Sequence, residues 1–124
     1  MTNAFDILIL DDHRDSADLL AFILVDYFPR TSFRVVYSGE AAVAAATYRR
    51  PDVAIFDLEM PGLGGEAAAR LIRGSVSANP ASLIAVSGNV KRLETLKSTG
   101  PFDHLMTKPI DLHQLVSLLT TMSL

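Results

Sequence analysis

Short apolar runs recur along the chain, separated by stretches in which apolar side chains return every three or four positions. The runs are Ile7-Leu8-Ile9-Leu10, Phe33-Arg34-Val35-Val36-Tyr37, Val53-Ala54-Ile55-Phe56, Leu83-Ile84-Ala85-Val86 and, more weakly, Leu105-Met106-Thr107. Three of them are apolar at every position, as strands covered on both faces must be. Between them, Ala17, Leu20, Ala21, Leu24 and Phe28 make a helical stripe. Ala68, Leu71 and Ile72 make another, as do Val90, Leu93 and Leu96, and finally Leu112, Leu115, Val116 and Leu119. The alanine-rich stretch GEAAVAAATYRR has high helix propensity and side chains small enough to lie close on a sheet.

Asp15 with Asp18, and Asp111 with Gln114, have the spacing of a capping box. Pro29, Pro51, Pro80 and Pro101 fall between elements. The pattern is (βα)5. Right-handed crossovers then predict an α/β fold, doubly wound, with a parallel five-stranded sheet between two layers of helices.

At 124 residues the chain has the length of one domain with a real core. Its 49% hydrophobic and 20% charged residues are a folding composition. A net charge of −3 provides no basic footprint for nucleic acid. The absence of cysteine excludes disulfides, thiol catalysis and zinc thiolate sites. MTNAFDILIL lacks the basic start and small-residue cleavage site of a signal peptide, and no apolar run approaches the roughly 20 residues that span a bilayer. The expectation is a soluble, cytoplasmic domain over residues 1–124, with neither nucleic acid nor membrane as a partner.

One feature needs explaining. DVAIFDLEMPG drives a run that reads as buried into Asp57, and an unpaired buried carboxylate is costly. Four of the five strands end on chemistry: Asp11 and Asp12 after the first, Asp57 after the third, Ser87 after the fourth, Lys108 after the fifth. Carboxyl ends of parallel strands are the edge at which open α/β sheets bind ligands. If the first and third strands are neighbours, the three acids converge, and a hard cation such as Mg²⁺ relieves their repulsion. A carboxylate nucleophile, a cation, a lysine and a hydroxyl are the parts phosphoryl transfer uses. Taken singly, each is unremarkable: Asp11-Asp12 reads as a strand end, Ser87-Gly88 as a turn, Lys108 as a surface lysine. His13, His104 and His113 are scattered without metal-ligand spacing and read as surface or capping residues.

At ILILDDHRDSADLL, PDVAIFDLEMPGLGG, IAVSGN and FDHLMTKPIDL the chain resembles the receiver domain of two-component response regulators, in particular those working with hybrid histidine kinases. The resemblance runs from about Phe5 to the last helix. It implies a flavodoxin-like sheet in the order 2-1-3-4-5. Asp57 would accept a phosphoryl group, and Asp12 and Asp57 would bind Mg²⁺ with Asp11 assisting. The Glu59 carbonyl would complete the ligands, Ser87 would hydrogen-bond the phosphoryl group, Lys108 would pair with it, and Lys108–Pro109 would be cis. It also implies a sensor or hybrid histidine kinase, or a histidine phosphotransfer protein, as donor. A downstream protein would read the signal, with the fourth helix, fifth strand and fifth helix as the usual output face. A homodimer is compatible with it, and the chain would act alone or as a phosphorelay intermediate.

Three departures stand out: Leu105 where many receivers have a switch aromatic, Gly64 where the loop usually has Asp, and Pro101 between Gly100 and Phe102. Leu105 admits a pseudo-receiver acting through protein contacts alone, although it also suits simple packing. IFDLE resembles the start of haloacid-dehalogenase-type phosphatases, but that motif opens their chains and has Asp where this one has Glu59.

Overall fold

The three all-apolar runs become buried strands because nothing in them resists burial on either face. The computed structural model describes residues 5–75 and 81–123. It contains β1 (Phe5–Leu10), α1 (Arg14–Tyr27), β2 (Thr31–Val36), α2 (Gly39–Tyr48), β3 (Val53–Asp57), α3 (Gly65–Arg73), β4 (Ser82–Ser87), α4 (Val90–Thr99), β5 (His104–Thr107) and α5 (Leu112–Ser123). All the strand pairings are parallel, and the sheet order is β2-β1-β3-β4-β5.

The period of two along each strand sorts side chains to the two faces of the sheet. Ile7, Ile9, Val53, Ile55, Ile84, Val86 and Met106 face Ala17 and Leu24 of α1 and Leu115 and Leu119 of α5. Leu8, Leu10, Ala54, Phe56 and Leu83 face Ala42 of α2 and Ala68 and Ala69 of α3. Ala85, with Leu58, faces Leu93 and Leu96 of α4. The expected doubly wound, flavodoxin-like arrangement is therefore the one formed, with α1 and α5 on one face and the other three helices opposite.

Some local readings change. Helix α1 begins at Arg14 with His13 as N-cap, and the cap makes no side-chain hydrogen bond. The Asp15/Asp18 capping box does not form: Asp15 lies in the first turn, and Asp18 accepts from the Tyr37 hydroxyl at 2.6 Å. Asp111 does cap α5, accepting from Gln114 N at 3.1 Å. Leu71 and Val90 are exposed rather than core-facing. Alanines 68 and 69 supply the inner face of α3 instead, because their size lets that helix approach the sheet closely. Pro29, Pro51 and Pro101 lie between elements; Pro80 lies outside the described residues. The Pro101 turn is held by Arg73, whose Nη2 donates to its carbonyl at 2.8 Å.

Candidate functional site

Leu10 pairs with Phe56 in the central β1–β3 ladder, so the next residues, Asp11 and Asp57, leave the same edge together. Ser87 ends β4 opposite Thr107 of β5, and the following amide, Lys108 N–H, donates to the Ser87 carbonyl at 2.9 Å. The parallel sheet thus delivers an acid pair, a hydroxyl and an ammonium to one rim. The Lys108–Pro109 peptide is cis.

Asp57 is 3% exposed. Lys108 Nζ meets its Oδ1 at 2.7 Å, and the Glu59 N–H donates to the same oxygen at 3.1 Å. Its other oxygen, Oδ2, is buried without a partner, as is Asp12 Oδ1. That answers the buried-carboxylate question in part: one oxygen is compensated and one is not. Burial raises the Asp57 carboxyl above its ordinary 3.8, against the opposing pull of Lys108 and the Glu59 amide. Burial also works against the Lys108 ammonium, but its bond to Asp57 and the nearby Asp57, Glu59 and Asp11 charges prevail and raise it above 10.5.

Asp11, Asp12, His13 and Asp57 each place a ligand-type atom within 4.8 Å of all the others. Unpartnered, buried carboxylate oxygens inside an acidic group are what a hard divalent cation satisfies, so the donor set fits Mg²⁺.

The Glu59 side chain also enters the site. Its Oε1 accepts from the Ser87 hydroxyl at 2.7 Å and from the Gly88 N–H at 2.7 Å, and its Oε2 lies 3.8 Å from Lys108 Nζ. Burial works upward on this carboxyl, but the Ser87 and Gly88 hydrogen bonds and the Lys108 charge outweigh it and hold it below 4.5. The Glu59 side chain therefore engages the site hydroxyl directly. Only a residue's neighbours across the sheet reveal that. His13 was likewise missed as a member of the acidic group: it directly follows Asp12, and imidazole-to-carboxylate proximity has no signature in its spacing from other histidines.

The connection from β3 to α3 is set by glycine. Gly62 adopts φ 68°, the left-handed region that glycine enters at no steric cost. A Cβ on Gly65 would drive into the Asp57 carbonyl oxygen, so α3 starts hard against the end of β3. Gly64 is the N-cap of α3 and offers no side chain to it. Leu105 is half-buried and packs on the Leu58, Leu93 and Leu96 cluster.

Residues 7–120 match the family of the response regulator receiver domain. Stress response regulator protein 1 of Debaryomyces hansenii is 28% identical over 113 residues, covering 89% of this chain and 46% of that protein. The DNA-binding response regulator MtrA of Mycobacterium tuberculosis is 31% identical over 111 residues, covering 90% of this chain and 47% of that protein. The chain thus spans about half the length of these curated relatives. A response regulator receiver domain (CheY-like) from Methylobacillus flagellatus superposes with a TM-score of 0.79 at 26% identity, covering 97% of this chain and 99% of that one.

Proposed function

Since the chain belongs to the response regulator receiver domain family of two-component signalling, we propose that it takes a phosphoryl group from a phosphohistidine donor onto Asp57 in a Mg²⁺-dependent reaction. The donor is a sensor or hybrid histidine kinase or a histidine phosphotransfer protein, and the modified form alters binding to a downstream protein. The observation that carries this reading is Asp57 itself: a buried carboxylate with one oxygen on Lys108 and the other unpartnered beside Asp11 and Asp12.

An Asp57 oxygen attacks phosphorus as the bond to the donor imidazole nitrogen breaks, and the electron pair leaves on that nitrogen. Lys108 orients the carboxylate and meets the charge of the incoming oxygens. Ser87 supplies a hydroxyl donor once it is released from Glu59. Asp11, Asp12 and Asp57, with the Glu59 carbonyl, would hold Mg²⁺. Bound there, Mg²⁺ neutralises carboxylate and phosphoryl charge together. The reaction is single-turnover on the chain itself, so the product is a labelled protein rather than a released compound.

The test is labelling with radioactive acetyl phosphate. The expected result is up to one label per chain, lost in EDTA and absent in Asp57→Asn. Full labelling of Asp57→Asn would overturn the acceptor assignment. Steady turnover of a phosphomonoester would instead indicate a phosphatase.

A further inference from the structure

We propose that His13 is a direct ligand of the cation held by Asp11, Asp12 and Asp57, and that its imidazole adds affinity for borderline divalent metals such as Ni²⁺, Co²⁺ and Zn²⁺ to a site that also takes Mg²⁺. This rests on reading the acidic group as a cation site.

His13 stands at nearly the spacing of a neighbouring donor from two of the acids. Octahedral ligands about 2.1 Å from an ion lie about 3 Å apart when adjacent and about 4.2 Å apart when opposite. His13 Nδ1 lies 3.4 Å from Asp11 Oδ1 and 3.3 Å from Asp12 Oδ1. All four residues bring a ligand atom within 4.8 Å of one another. The unpartnered, buried Oδ2 of Asp57 points to a missing positive partner independently of any count of acids.

The contacts of the His13 ring are with the acids. Its side chain caps nothing, although it stands at the N-cap of α1. It is 71% exposed, so packing does not hold the ring. What fixes the residue is its own N–H, which donates to Asp11 Oδ1 at 2.9 Å. The main chain therefore carries the ring to the acids. Lys108 is on Asp57 Oδ1 and leaves Oδ2 to the metal side.

The chemistry then decides selectivity. An all-oxygen site suits Mg²⁺, whereas a neutral imidazole adds a donor that nickel, cobalt and zinc bind far better than magnesium does. Loss of the ring should change the two classes of metal unequally.

The experiment is calorimetric titration of the full, tag-free chain with MgCl₂ and NiCl₂, for wild type, His13→Ala, His13→Gln and Asp12→Asn. Wild type is expected to bind Ni²⁺ more tightly than Mg²⁺. Losing a direct donor costs at least as much as losing an outer-sphere one, so both His13 variants should lose Ni²⁺ affinity by about tenfold or more. Mg²⁺ affinity, carried by carboxylates and water, should stay within about threefold. The Co²⁺ form should show a hyperfine-shifted exchangeable imidazole N–H resonance that is absent from His13→Ala. Unchanged Ni²⁺ affinity in the His13 variants would overturn the proposal while leaving the acidic site intact. So would a joint rise in both affinities, the mark of an imidazolium acting only as counter-charge. Wild type that fails to bind Mg²⁺, or Mg²⁺ binding indifferent to Asp12→Asn, would overturn the acidic-site reading and this proposal with it.

Discussion

The Ser87 hydroxyl donates to the Glu59 carboxylate at 2.7 Å, and the Gly88 N–H donates to the same oxygen at 2.7 Å. The site's own side chain thus uses two donors that an incoming phosphoryl oxygen would use, and it adds a like charge beside them. Glu59→Ala should free both donors. One net hydrogen bond of about 1 kcal/mol corresponds to about a fivefold faster labelling by acetyl phosphate. Glu59→Gln should fall between, because an amide oxygen still accepts from Ser87. Labelling rates equal across the three proteins would show that Glu59 does not compete for the seat.

Asp57 and Glu59 have opposite pH signs. Burial raises Asp57 above 3.8, so the folded chain holds that proton more tightly than the unfolded one. Its contribution is complete below the unfolded value and is lost as pH rises through the folded one. Glu59 lies below 4.5, held down by its Ser87 and Gly88 bonds and by Lys108 against the upward effect of burial. It stabilises above the unfolded value and loses that as pH falls through the folded one. In EDTA at neutral pH, Asp57→Asn should therefore be more stable than wild type by about 1–2 kcal/mol, read as a Tm higher by about 3–8 °C. Lys108 is partly exposed and retains Glu59 and water as partners, so it does not cancel the gain. The gap should narrow on acidification toward pH 4. A Tm below wild type at neutral pH would show that the Lys108 bond outweighs burial.

Much of the architecture was legible because β1, β3 and β4 are buried on both faces and so leave continuous apolar runs. The helices were legible where large side chains mark the inner stripe, as in α1 and α5. Small residues defeat that reading: Ala68 and Ala69 allow α3 a close approach, and Leu71 is left outside. The start of α1 was misjudged because the Asp11 side chain fixes the His13 N–H at 2.9 Å, and the helix begins at once from that turn. Asp11, Asp12, Asp57, Ser87 and Lys108 could be named from the strand ends. The side-chain choice of Glu59 could not, since its partners Ser87 and Gly88 come from the neighbouring strand's end, and that of His13 could not, since its contacts with the adjacent Asp11 and Asp12 leave no mark in histidine spacing.

Mg²⁺ should act on stability through Asp12 and Asp57. Binding to the folded chain alone stabilises by about 1.4 kcal/mol when free Mg²⁺ is tenfold above its dissociation constant, about 3–6 °C in Tm. Asp12→Asn removes one of the two unpartnered buried oxygens' charges and should abolish most of that rise. A melting curve unmoved by millimolar Mg²⁺ would count against the convergence of the acids on one ion.

At the opposite end of β1, Asp6 is 2% exposed. Arg34 grips it with Nη2 at 2.6 Å and Nε at 3.0 Å, and Arg49 Nη2 adds a contact at 2.7 Å. Arg34 also donates to the Ala45 carbonyl at 2.7 Å and the Arg49 carbonyl at 2.7 Å, tying β2 and α2 to the start of β1. Removing Arg34 leaves the buried Asp6 charge to the half-exposed Arg49 alone, so Arg34→Met should cost about 3 kcal/mol in urea unfolding. Arg49 is half-exposed, and Arg49→Ala should cost about 1 kcal/mol or less. Both variants should still label to wild-type stoichiometry under folding conditions, because this cluster lies at the amino ends of the strands and Asp57 at the carboxyl ends. The pair anchors the scaffold, and it does so away from the chemistry. Equal destabilisation by the two substitutions would mean that Arg49, despite its exposure, compensates Asp6 as much as Arg34 does.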